Sequence, residues 1–299
     1  MRPFAIGAMQ LDVRSGSNVD HATREIRRLV KRFPWVQLVL LSELSVHSVE
    51  KRDAIALPGP IEERLCGLAK ELGIWLVPGS VYERSGDRIY NTAPVIDPTG
   101  KVIGRYRKMF PFQPYEPGVS AGDQPLVFDV PGVGRFGVSI CYDIWFPETV
   151  RWLVAEGAEV ILHPALTDTI DRDVELAIVR ATAAQNQCFV VDVNGAGIGG
   201  NGRSIVVGPA GDILHLAGDH QEEIPIEIDL DRVSRTRELG LRGLGQPLKS
   251  LRDRAFEFPF YAAGARSEFL DELGPLQKPE RGTLAGIYGP KESGAKGDE

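Results

Sequence analysis

The sequence predicts an α/β fold, a mixed β-sheet covered by helices in one large domain. Three observations carry this expectation. Strand-like and helix-like runs alternate along the chain. Both βαβ-like units and hairpin turns occur. The chain has 299 residues, 43% hydrophobic and 25% charged, which suits one sizeable core.

Residues 4–10 read as a first strand. Residues 18–33 place Val19, Ala22, Ile26, Leu29, Val30 and Phe33 at helical spacing, with Arg and Lys on the other face. Residues 36–41 are a continuous apolar run, as in a buried strand. Residues 60–72 form a helix that opens on Pro60, buries Ile61, Leu65, Leu68, Ala69 and Leu72, and stops at Gly73. Residues 74–77 are a further strand.

Residues 88–97 and 101–107 flank Pro98-Thr99-Gly100 and read as a hairpin. Residues 147–156 and 171–186 are helices, followed by strands at 158–163 and 188–193. Residues 202–208, 212–216 and 223–229 read as a three-stranded meander. One domain is expected over residues 1–240, where no internal repeat or linker interrupts the pattern. Beyond it the periodicity weakens. Residues 241–299 read as a C-terminal arm that packs on a neighbouring subunit, with a short helix at 267–273 and a Gly-rich polar tail from Arg281.

The formal net charge is -7, without a Lys/Arg block, a poor match for nucleic acid or an anionic membrane. No apolar run approaches the roughly 20 residues that span a bilayer. Residues 1–10 lack the apolar core of a signal peptide. Cys66, Cys141 and Cys188 are scattered and odd in number, which points to reduced thiols in a cytoplasm. No Cys/His cluster has metal-ligand spacing, and His21 and His220 read as surface residues.

The run Gly137-Val138-Ser139-Ile140-Cys141-Tyr142-Asp143-Ile144-Trp145-Phe146-Pro147-Glu148 reads as strand, turn and helix start. Phe136, Val138 and Ile140 alternate with the small residues Gly137, Ser139 and Cys141, so the strand has an apolar face and an open one. A thiol at the carboxyl end of a strand sits where open α/β sheets keep their chemistry. Its ordinary pKa leaves only a few per cent thiolate at neutral pH, so catalysis requires a base and a nearby positive charge. Glu43 ends the apolar run Val39-Leu40-Leu41-Ser42, where desolvation makes a carboxylate more basic. Lys108 ends the hairpin strand and is flanked by Met109, Phe110 and Phe112, neighbours a solvated lysine does not choose.

These runs resemble the nitrilase superfamily of carbon–nitrogen hydrolases, whose Glu-Lys-Cys triad matches Glu43, Lys108 and Cys141 in order and setting. The resemblance covers roughly residues 4–240 and includes Tyr90-Asn91-Thr92-Ala93, the stretch from Asp97 to Lys108, and Cys141-Tyr142-Asp143 with Phe146-Pro147-Glu148. The Pro-rich run after Lys108 is most similar to the aliphatic amidase and formamidase branch. One departure stands out: Thr182 and Gln185 replace charged residues on the helix after the nucleophile segment.

The resemblance implies a four-layer αββα sandwich that assembles into homodimers or larger oligomers, and a reaction that needs no cofactor or metal. It implies amide hydrolysis through a cysteine thioester: Glu43 as base, Cys141 as nucleophile, Lys108 and the Tyr142 backbone N–H on the oxyanion, and Glu116 fixing the lysine head group. Phe112, Tyr142, Trp145, Pro164 and Ala165 are the expected substrate contacts. A nitrilase or an N-carbamoyl hydrolase would use the same triad. A non-catalytic assembly scaffold is the reading from another class, and the intact triad argues against it. Cys66 and Cys188 read as structural, Asp143 equally as a turn cap or a supporting group, and the loop 195–200 as a hairpin loop rather than a nucleotide-binding turn.

Overall fold

A computed structural model describes residues 1–262 and 264–278. The expected tail from Arg281 lies outside the described residues. The described chain forms two compact units: Met1–Pro111 with Gly118–Ala255, and Phe112–Pro117 with the chain from Phe256 onward.

In the first unit the strands are β1 (Pro3–Gln10), β2 (Asp12–Val13), β3 (Leu38–Leu41), β4 (Trp75–Val77), β5 (Val81–Ser85), β6 (Arg88–Ile96), β7 (Val102–Arg107), β8 (Leu126–Val130), β9 (Gly134–Val138), β10 (Val160–Ala165), β11 (Phe189–Asn194), β12 (Ala196–Gly197), β13 (Ile205–Val207), β14 (Ile213–Leu216) and β15 (Glu222–Asp229). The helices are α1 (Val19–Arg32), α2 (Pro60–Leu72), α3 (Pro147–Ala155), α4 (Arg172–Asn186), α5 (Asp231–Leu239) and α6 (Pro247–Arg252).

One sheet runs β15-β1-β3-β4-β6-β5, with β7 also on β6; the other runs β14-β13-β11-β10-β9-β8. Each has a parallel centre, β1-β3-β4 in one and β9-β10-β11 in the other, and antiparallel flanks. The sheets pack face to face through Ile6, Ala8, Leu38, Leu40 and Val95 against Phe136, Val138, Val160, Leu162 and Val191. Alternate residues point outward: Val39 and Leu41 under Ile26, Leu29, Leu65 and Leu68 of α1 and α2, and Ile161 and Val190 under Leu153, Leu176 and Val179 of α3 and α4. Strands buried on both faces explain the unbroken apolar runs in the sequence. The result is a four-layer αββα sandwich with mixed sheets.

Two expectations are corrected. Residues 202–229 do not form one meander. β13 pairs with β14, but β15 crosses to the other sheet and pairs with β1 over Pro3↔Asp229 to Gln10↔Glu222. This covers the open edge of β1 and buries Ile224 and Ile228 in the inter-sheet core. His21 is buried, with its Nδ1 2.8 Å from the Arg24 guanidinium, because the start of α1 turns it inward.

In the second unit, Tyr115 and Glu116 donate their N–H groups to the Phe112 carbonyl, both at 2.8 Å, and the Phe112 N–H donates to Glu116 Oε2 at 2.6 Å. Phe256, Phe258, Phe260 and Tyr261 stack edge to face or tilted at 4.3–6.0 Å. A short helix α7 (Glu268–Asp271) is capped by the Ser267 hydroxyl. Among the described residues, no helix is long and apolar enough to cross a membrane.

Candidate active site

Glu43 lies just past the end of β3, in a turn held from two sides. Its N–H donates to the Ala165 carbonyl at 3.2 Å, which ties the end of β3 to the end of β10 in the opposite sheet. On the other side Gly79, at φ 73°, presses against the turn; a Cβ there would sit 1.8 Å from the Ser42 carbonyl oxygen. Only glycine meets both demands.

Lys108 follows β7 and is 1% exposed, and Glu43 is 3% exposed. The Lys108 ammonium donates to Glu43 Oε1 at 2.9 Å, and the Asn91 amide donates to the same oxygen at 2.7 Å. The Lys108 backbone is itself fixed: its N–H donates to the Asn91 carbonyl at 2.9 Å, and its carbonyl accepts from Gly122 at 2.8 Å. A buried ion pair with an additional donor is the arrangement in which two desolvated charges are tolerated.

Cys141 begins the short 3₁₀ turn Cys141–Trp145 after β9, at φ 47°. This left-handed conformation is uncommon for a residue with a Cβ and characteristic of strained functional turns. Asp143 holds the turn. Its carboxylate accepts from the Ile140 N–H at 3.0 Å, the Phe110 N–H at 2.8 Å and the Tyr106 hydroxyl at 2.7 Å. Burial pushes Asp143 up to about 6, against the pull of those three donors. Asp143 therefore caps the turn and also joins it to the segment after Lys108.

Burial raises the Cys141 thiol well above its ordinary value. Glu43 pushes it further up, Lys108 pulls it back, Glu175 pushes it up again, and a hydrogen bond from the Leu166 N–H lowers it. A thiol in this setting is neutral at rest.

Four of the other expected contacts lie in the first unit. Tyr142 and Trp145 share the Cys141 turn, with ring centroids 6.1 Å apart. Trp145 turns toward the helices, packs against the cluster under α3 and α4, and donates its indole N–H to Glu175 Oε1 at 3.3 Å. Pro164 and Ala165 are the last residues of buried β10; Ala165 contributes the carbonyl that holds Glu43. Phe112 and Glu116 belong to the second unit.

Sequence reasoning missed a buried polar chain beside the sulfur. Thr167 Oγ1 lies 3.9 Å from Cys141 Sγ and donates to Glu175 Oε1 at 3.1 Å. Arg172 donates to Glu175 Oε2 at 3.2 Å and forms an ion pair with Asp192. The His163 ring bridges Ser139 Oγ, at 3.1 Å, and Asp192 Oδ2, at 3.6 Å. Burial holds His163 neutral, pushed down to about 3. A signal existed: Arg172 and Glu175 occupy the same stripe of α4 as Leu176, Val179 and Ala183, where apolar residues are expected. Asn91 was likewise a polar residue inside an inward-facing strand.

A family model described as carbon-nitrogen hydrolase matches residues 6–238. The chain is 35% identical over 245 residues to the 2-oxoglutaramate amidase of Bacillus subtilis, covering 79% of this chain and 94% of that one. Among solved structures it superposes on Saccharomyces cerevisiae Nit3, a member of branch 10 of the nitrilase superfamily, with TM-score 0.74 and 29% identity over 79% of this chain and 94% of that one. It is also similar, at TM-score 0.68 and 25% identity over 83% of this chain and 96% of that one, to a glutamate-to-glutamine variant of the amidase from Nesterenkonia sp. AN1. That variant carries the acetamide moiety of fluoroacetamide covalently on its active-site cysteine. A family match spanning most of the chain, together with a shared sandwich, gives one conclusion: this chain belongs to the carbon-nitrogen hydrolase family, the nitrilase superfamily.

Proposed function

We propose that the chain hydrolyses a small amide to a carboxylic acid and ammonia through a thioester on Cys141. Glu43 takes the thiol proton as the sulfur attacks the carbonyl carbon. The oxyanion that develops is held by the Lys108 ammonium and the Tyr142 N–H. The proton passes from Glu43 to the leaving nitrogen, the C–N bond breaks and ammonia departs. Water, deprotonated by Glu43, then attacks the thioester. The acid leaves and the thiol regains its proton.

The observation that carries this reading is the buried Glu43–Lys108 pair, closed at 2.9 Å, whose opposite charges both act on the Cys141 thiol. The covalent cysteine adduct of the Nesterenkonia relative supports it. Tyr142, Pro164 and Ala165 are read as walls of the acyl site, with Trp145, turned toward the helices, as support behind them. Phe112 and Glu116 enter the proposal on the resemblance alone. We also read the chain as a cytoplasmic homo-oligomer in which residues 241–299 form an arm on a neighbouring subunit. Exposed apolar side chains there, such as Leu244 at 81% and Leu276 at 74%, favour a covered surface.

The test is ammonia release from a panel of short aliphatic amides, 2-oxoglutaramate, nitriles and N-carbamoyl compounds. Turnover is expected on an amide, and Cys141→Ala is expected to abolish it while the circular dichroism spectrum stays unchanged. Ammonia release by a folded Cys141→Ala protein refutes covalent catalysis.

A further inference from the structure

We propose that Glu175, acting through Thr167, is a positioning residue that keeps the Cys141 thiol protonated until the catalytic base takes its proton. The inference rests on the reading of Cys141 as nucleophile.

Glu175 is 5% exposed. Three donors converge on it: Thr167 Oγ1 at 3.1 Å and Trp145 Nε1 at 3.3 Å on one oxygen, and Arg172 Nη1 at 3.2 Å on the other. An acceptor-only carboxylate satisfies all three. Threonine has a single hydroxyl proton, and the carboxylate claims it. Thr167 therefore turns a lone pair toward Cys141 Sγ, 3.9 Å away, and the sulfur is the donor in that contact. A lone pair in this position welcomes S–H and repels a thiolate.

The arrangement is rigid. The Thr167 N–H donates to Asn194 Oδ1 at 2.8 Å, and the Asn194 amide donates back to the Thr167 carbonyl at 2.9 Å. Arg172 is held in turn by Asp192 and by the Arg203 carbonyl at 2.9 Å. Around the sulfur, Glu43 comes from the end of β3, Lys108 from the end of β7, Glu175 from α4 and the Leu166 N–H from the segment after β10, with Asp143 in the turn of Cys141 itself. Glu43 opposes the thiolate but is also the base that removes the proton. Glu175 is bound on both oxygens and has no such second role. It holds the resting thiol in the less reactive form and leaves activation to Glu43.

The experiment is the rate of Cys141 alkylation by iodoacetamide, followed by peptide mass mapping across pH, in the full-length wild type and in Glu175→Gln, Thr167→Val and the double variant. In Glu175→Gln the charged Arg172 draws the amide oxygen, so the amide N–H donates to Thr167 Oγ1 and the threonine hydroxyl is free to donate to the sulfur. The midpoint is expected to fall by about one pH unit, giving roughly tenfold faster alkylation at neutral pH. Thr167→Val, which keeps the shape and the backbone bonds to Asn194, is expected to react faster than wild type. Adding Glu175→Gln to it is expected to change little, because the intermediary is already gone. A wild-type or slower rate in Glu175→Gln or in Thr167→Val overturns the inference. So does an undiminished tenfold gain from Glu175→Gln in the valine background, which would mean a direct field on the sulfur. Loss of ammonia release in Cys141→Ala alongside an unchanged Glu175→Gln rate defeats only this inference. Retained release in Cys141→Ala defeats the nucleophile reading itself.

Discussion

Replacing Asp143 tests how the turn of Cys141 is held. The carboxylate is fully buried and is shared by three donors on two segments far apart in sequence. In Asp143→Ala, the Ile140 N–H and the Tyr106 hydroxyl lose their acceptor in a dry interior, at about 1–3 kcal/mol each. The Phe110 N–H belongs to a partly exposed residue, so water replaces much of its bond. Removing a buried carboxylate also relieves its own desolvation, which offsets part of the loss. The net destabilisation is expected at about 4 kcal/mol. For a protein of this size that corresponds to a fall of roughly 6 °C in Tm.

Urea titration by circular dichroism measures it directly. Tyr106→Phe alone should cost about 1 kcal/mol, since one donor goes and no acceptor is left charged and alone. The double variant should be less destabilised than the sum by about 1 kcal/mol, because the hydroxyl orphaned in Asp143→Ala is then absent. An Asp143→Ala protein within 1 kcal/mol of wild type, or strict additivity in the double variant, refutes the account of this turn.

Two more expectations follow from buried polar groups. His163 is held neutral at about 3, against an unfolded value of 6.5. Its contribution is therefore complete above pH 6.5 and lost as pH falls, at about 1.4 kcal/mol per unit. Asp143, held up at about 6, works in the opposite sense between 6 and 3.8. Comparison with His163→Gln separates the two: between about pH 6.5 and 5, wild type should lose roughly 2 kcal/mol relative to the variant in urea titrations. Parallel pH curves contradict this. Asn91→Ala removes a 2.7 Å donor from Glu43 and should lower kcat/KM for ammonia release about tenfold. Unchanged kcat/KM shows that this amide does not tune the carboxylate.

The chain's local pattern carried much of the architecture. Unbroken apolar runs marked the central strands as buried on both faces, and Pro60 and Gly73 marked the bounds of α2. The strand-end positions of Glu43, Lys108 and Cys141 were legible because a polar residue that ends an apolar run stands out within a few residues. The crossing of β15 was not legible. Its alternation suits either sheet, and only the open edge of β1, more than 200 residues earlier, decides between them.

The polar chain behind the sulfur was hidden for the same reason. Thr167 and Asp192 are unremarkable in their own segments, Arg172 and Glu175 stand out only as polar residues on an apolar helix stripe, and the meaning of all four lies in hydrogen bonds joining the segment after β10, α4 and β11. By itself the sequence determined which residues form strands and helices, since side-chain periodicity is a local property. Tertiary structure alone decided which strand ends meet, which charges are buried together and where each shared proton goes. Those are matters of desolvation and contact between distant parts of the chain.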